Sequence, residues 1–130
     1  MKKFITIIAT ILLLTASCTP NKISDKQLQG GYIATNGLSV SSMTFDHDHD
    51  NLFEWDMSVM YGKVFTGHYA MNGDEIHVVC NRKEDGILLF KIGSYVENVT
   101  NGATIKKIHL DWVMDGKSTP IELMGVKHEE

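Results

Sequence analysis

Apolar and polar residues alternate through much of this chain with a period of two, the signature of strands that bury one face. Phe53, Trp55, Met57 and Val59 share a face opposite Glu54, Asp56 and Ser58. Ile76, Val78 and Cys80 stand opposite His77, Val79 and Asn81, and Ile108, Leu110, Trp112 and Met114 opposite Lys107, His109 and Asp111. The denser run Ile87, Leu88, Leu89, Phe90 and Ile92 predicts a strand covered on both faces at one end. Between such runs stand Asn36-Gly37, Asn72-Gly73, Asp85-Gly86, Asn101-Gly102 and Asp115-Gly116, pairs that supply the positive φ angles of tight hairpin turns. The last four recur at the spacing of one strand plus one turn. The pattern predicts strands over 31–35, 40–46, 52–60, 64–71, 75–82, 87–95, 104–114 and 119–126, with Pro120 near the start of the last, where a missing N–H is tolerated.

Eight sequential strands joined mainly by short turns predict an all-β fold, an up-and-down antiparallel barrel, with a β-sandwich as the alternative. Closure removes the exposed edges that a small chain without cross-links would otherwise have to protect. Phe45, Trp55, Met57, Phe65, Ile76, Val78, Phe90, Leu110 and Trp112 are the expected interior. Six of them, Phe45, Trp55, Met57, Phe65, Phe90 and Trp112, are the candidate ligand-binding set if the barrel encloses a cavity. A barrel of this size can equally be filled by its own side chains.

The N-terminus follows another pattern. Lys2 and Lys3 precede an apolar run from Phe4 to Leu14 that is too short for a membrane-spanning helix, which needs about 20 apolar residues. Small residues Thr15, Ala16 and Ser17 lead to Cys18, so residues 1–17 are expected to be a signal peptide. Leu14-Thr15-Ala16-Ser17-Cys18 resembles a bacterial lipobox. That resemblance implies acylation of Cys18 by palmitate or a similar chain, and a lipoprotein of the cell envelope anchored in a membrane, with the outer membrane as the expected site. Two or more acyl chains suffice to hold a protein there.

Residues 18–29 read as a polar, lipid-bearing tether in which Ser24 or Asp25 caps one helical turn, too poor in apolar positions to stand alone. Residues 30–127 are then a single barrel domain. Besides Cys18 only Cys80 remains, so no intramolecular disulfide is expected, and Cys80 is placed on a buried apolar face as an inert thiol.

With 12 Lys plus Arg against 16 Asp plus Glu, a net charge of -4 argues against nucleic acid as a partner. The sharpest chemical cluster is Asp46-His47-Asp48-His49-Asp50, whose carboxylates and imidazoles suit a divalent metal if the backbone curls around one. On an extended strand these groups point alternately to opposite faces, so a solvated loop is the competing reading. His77 and His109 fall on outward faces. No cofactor is implied. The chain has no Gly-x-Ser-x-Gly elbow and no phosphate-cradling Gly-rich loop, and no catalytic residue is assigned. Glu54 and Asp56, which share a face, read as solvated acids.

Leu28-Gln29-Gly30-Gly31-Tyr32, Met43-Thr44-Phe45 and Thr66-Gly67-His68-Tyr69-Ala70-Met71-Asn72-Gly73-Asp74-Glu75-Ile76 resemble stretches of small bacterial lipocalin-like lipoproteins of the calycin type. The resemblance implies a barrel with an apolar cavity and supplies no catalytic residue, since these families are functionally diverse. Two function classes follow. One is a membrane-anchored binding module for a small apolar or amphipathic ligand. The other is a non-enzymatic structural or interaction lipoprotein that meets an envelope protein or glycan through Tyr61, Tyr95 and loop residues.

Overall fold

The inward-facing alternation closes on itself. In the computed structural model, which describes residues 23–128, eight antiparallel strands pair in sequence order and the last returns to the first, giving a closed barrel. The strands are β1 (Gly30–Asn36), β2 (Ser39–Asp46), β3 (Leu52–Met57), β4 (Lys63–Asn72), β5 (Glu75–Cys80), β6 (Ile87–Thr100), β7 (Ala103–Met114) and β8 (Lys117–His128). The fold is the all-β, up-and-down barrel that the turn spacing predicts, and the sandwich alternative falls away. The proposed signal peptide and Cys18 lie outside the described residues.

The glycine-containing turns act as the sequence suggests at two places above all. Asn101 and Gly102 take φ of 51° and 77°, and Asp115 and Gly116 take 51° and 76°, so both central residues of each tight hairpin are left-handed. Asp85-Gly86 differs. There the chain makes a short 3-10 turn, Lys83–Asp85, so β5 ends at Cys80 and not at 82.

The third strand also stops early, at Met57 and not at 60, because the Asp56 carboxylate accepts the Ser58 N–H at 2.9 Å and turns the chain into a helical turn, α2 (Ser58–Tyr61). Val59, expected to face inward, is therefore 92% exposed. The sixth strand runs on to Thr100, with an irregularity in register between Ile92 and Ser94. Nor is its start covered on both faces: Leu88, Phe90 and Ile92 are buried, whereas Ile87 is 68% exposed. Met114, at the far end of β7, also lies exposed.

Buried side chains from every strand meet in one core. Phe45, Phe53, Phe90, Met43, Ile76, Val78, Ile108 and Leu110 are fully enclosed. Burial at roughly 25 cal/mol per Å² of apolar surface makes this set the main source of stability. Rings meet edge to face, as in Phe45 with Phe53 and with Tyr69, each pair 5.3 Å between centroids. Such geometry contributes about 0.5–1.5 kcal/mol per pair beyond area burial.

The two ends of the barrel differ. At one end a short helix, α1 (Asp25–Leu28), lies against the sheet, capped by Ser24 in a reciprocal capping box with Gln27. Leu28 and Ile23 insert into the core there. The Tyr32 hydroxyl donates to the Leu28 carbonyl at 2.6 Å, and Lys106 Nζ donates to the carbonyls of Gln27 and Gln29. The opposite end holds the β1–β2 turn, α2, the 3-10 turn and the β7–β8 turn, and it is open.

Candidate functional site

A cavity of about 300 Å³ opens at the end opposite α1. Its buried lining comes from Ala34 on β1, Trp55 on β3 and Ile121 on β8, with Trp112 of β7, Met57 and Phe65 partly covered beside them. Ala34 carries a single methyl at an inward position, and the space is left there. Trp55, Phe65 and Trp112 form an aromatic wall, with Trp55 edge-on to Trp112 at 4.9 Å and tilted against Phe65 at 5.8 Å. The Trp55 indole N–H donates to Ser41 Oγ at 2.9 Å, so that ring presents carbon to the space and no free donor. Both tryptophans of the chain line this cavity.

Polar groups gather toward the mouth. Ser39 Oγ and the Tyr61 hydroxyl are 2.9 Å apart, and Thr35 and Asn36 lie nearby on the lining. Lys63, the first residue of β4, is half-buried. Its ammonium pairs with the Asp85 carboxylate and stands 5.0 Å from the centre of the Phe65 ring. The Asp85 side chain is only 4% exposed, held in the wall by the 3-10 turn.

Of the six candidate ligand-binding residues, the structure brings Trp55, Met57, Phe65 and Trp112 together around the cavity. Phe45 and Phe90 lie deeper, fully enclosed by neighbouring side chains. Ala34, Val40, Lys63 and Ile121 also line the cavity and are not singled out by the sequence, and Tyr61, expected there as an outer contact residue, reaches the lining as well. Lys63 was within reach of the alternation, since it stands two residues before Phe65 on the same face of one strand.

The Asp-His cluster sits at the α1 end, away from the cavity, as the loop between β2 and β3. Asp50 and Asn51 take positive φ of 57° and 54°, which curls the loop. Its side chains bond locally. His49 Nδ1 meets Asp46 Oδ2 at 2.7 Å, His47 Nδ1 meets Asn51 Oδ1 at 2.8 Å, and Asp48 accepts from Gln29 at 3.0 Å. The Asp46 hydrogen bond raises the His49 pKa above its ordinary value. Among the described residues no three His, Cys, Asp or Glu side chains converge as a metal-binding group.

Other candidate groups lie apart from one another. Cys80 is buried, and burial, with Asp85 adding to it, pushes its thiol pKa up, which keeps it protonated and poorly nucleophilic. Asp56 is held below its ordinary pKa by the hydrogen bonds with Ser58, on the outer face of the barrel with Glu54. His77 pairs with Glu75, and His109 with Glu122 and Asp111 on the outside.

What this arrangement can do is enclose a small apolar or amphipathic molecule, with carbon against the aromatic wall and a polar end at the mouth. Comparison of the chain with protein-family models, with curated proteins and with solved structures found no match.

Proposed function

We propose that the protein is an exported lipoprotein of the bacterial cell envelope that binds a small apolar or amphipathic molecule in its barrel. The observation that carries this reading is the apolar cavity of about 300 Å³, open at one end and walled by Trp55, Phe65 and Trp112. A core filled throughout would have served stability better, because unfilled apolar volume destabilises a fold.

Its size is at the lower end for small-molecule sites. At about 30 Å³ for each water-sized group, it admits about ten such groups. The anchor rests on the lipobox-like Leu14 to Cys18 and the apolar run before it.

Displacement of an environment-sensitive naphthalene dye from the full chain tests the binding reading. Ala34→Phe fills the cavity from its floor and should abolish dye binding while the far-ultraviolet spectrum stays that of the native barrel. Unchanged dye affinity in that variant would place binding elsewhere. For the anchor, incorporation of labelled palmitate should be lost in Cys18→Ser, and equal labelling of both chains would refute lipidation at that residue.

A second reading, docking of an envelope protein or glycan, is favoured by apolar tips beside the mouth. Leu38 is 98% exposed at the β1–β2 turn, and Val59 and Tyr61 are exposed on α2. Tyr95 does not join them, since its hydroxyl is buried. Leu38→Asp together with Val59→Asp should weaken such docking and leave dye binding intact.

A further inference from the structure

We propose that the cavity selects an amphiphile with a carboxylate head, and that Lys63 is the residue that recognises it. This inference rests on the binding reading above and goes on to assign the chemistry of the ligand's polar end. Lys63 is the one residue of the lining that carries a formal charge, the other polar groups there being hydroxyls, amides and the neutral indole N–H groups of Trp55 and Trp112. It stands at the mouth end of β4, two residues from Phe65, where a chain lying along the aromatic wall would present its head.

The ammonium is fixed before any ligand arrives. The Asp85 carboxylate that it pairs with is almost wholly buried, so Lys63 cannot swing away without leaving an uncompensated charge in the wall. The Phe65 ring supports it from another side through a cation–π contact. An ammonium has three donors, and Asp85 Oδ1 is the only side-chain acceptor among the described residues that takes one, which leaves donors for a head group.

Asp85 does not compete for that head. Its second oxygen is sealed from the cavity and has no hydrogen-bond partner among the described residues. A carboxylate at the mouth thus gains a charge-assisted hydrogen bond from a preorganised donor. A quaternary ammonium meets a like charge, and an alcohol gains only a neutral bond. Tyr61 and Ser39 can serve either polar end, so they give no preference between them.

Since both tryptophans line the cavity, intrinsic fluorescence reports occupancy directly. The full chain, kept soluble by an amphipathic polymer, is titrated with decanoate, decanol and decyltrimethylammonium. Decanoate should bind about tenfold more tightly than decanol, the scale of one hydrogen bond to a charged group, and the ammonium most weakly.

Lys63→Met alone strands the buried Asp85 carboxylate, so the informative variant is Lys63→Met combined with Asp85→Leu, which removes both charges and keeps the wall apolar. It should bind decanol as the native chain does and lose the preference for decanoate. Lys63→Arg should retain that preference. If decanoate and decanol bind alike in the native chain, or if the double variant keeps the preference, the carboxylate assignment is overturned. If none of the three probes changes the fluorescence, the binding reading itself falls, and this inference with it.

Discussion

Gly67 shows how narrowly single positions are specified in a barrel this small. It pairs with Phe53 on one side and Cys80 on the other, and a Cβ built there would lie 2.3 Å from the Val79 carbonyl oxygen and 2.8 Å from the Cys80 Cα. Backbone must move to admit it, so Gly67→Ala should destabilise the fold by about 1–3 kcal/mol in urea unfolding. His109 makes a different prediction. Its hydrogen bond with Glu122, assisted by the charges of Glu122 and Asp111, raises its pKa above the ordinary 6.5 despite partial burial. The folded state therefore holds a proton that the unfolded chain releases earlier. The resulting stabilisation is complete below 6.5 and disappears as pH rises through the folded-state value. Midpoints measured on both sides of that window should fall with rising pH in the native chain and fall less in His109→Gln. Residue-scale chemistry was only partly legible in the sequence. The alternation around Trp55, Phe65 and Trp112 placed them inward, whereas the burial of Asp85 depends on a 3-10 turn that folds it back against Lys63, a contact across 22 residues that no local pattern encodes.

Elements carry the second lesson. The strands from β4 through β8 were readable because each pairs one apolar face with a turn of restricted φ. The end of β3 is not, because the sequence there continues the period of two through Ser58 and Val59 while the chain turns into α2, with the Asp56 carboxylate accepting the Ser58 N–H. Gly62 then ends that turn in the left-handed region, with φ of 63°. The segment before β1 has the composition of a polar tether, which hides two anchoring residues. Ile23 and Leu28 are far apart for a strand but fall to one side of a single capped turn, and both are buried. The bond from Tyr32 to the Leu28 carbonyl fixes that turn on the sheet, and burial raises the Tyr32 pKa well beyond the usual phenolic range. Tyr32→Phe would leave this buried carbonyl without its donor. It should cost about 1–3 kcal/mol and expose the amides of α1 to faster hydrogen exchange, while the dye still binds at the other end. Loss of dye binding in Tyr32→Phe would mean that the two ends are coupled.

At the scale of the whole molecule, closure depends on a short seam. β1 pairs β8 only across 33–35 and 122–124, the shortest ladder in the barrel, while β6, β7 and β8 run past it toward the α1 end. Pro120 precedes this seam, where β8 is paired with β7 alone. A molecule held in the cavity touches β1, β3, β4, β7 and β8 together and so binds the folded barrel, not the open chain. At a hundred times its dissociation constant, such a ligand should add about 2.7 kcal/mol of stability, seen as a rise in the melting midpoint that Ala34→Phe does not share. Absence of any rise for a dye that fluoresces on binding would mean that it sits on the surface.

The place where the described chain enters the barrel decides which way the mouth can look. Ile23 roots the polypeptide beside α1, and from Cys18 to Ile23 a fully extended chain reaches at most about 18 Å. β8 alone, at 12 residues, spans about 40 Å along its own direction. If Cys18 is the acylated anchor proposed above, so short a leash favours an orientation with the α1 end toward the bilayer and the opening away from it. On those two proposals the barrel would stand like a cup on its base and take its cargo from the surrounding fluid or a passing donor more readily than from the lipid beneath its own foot.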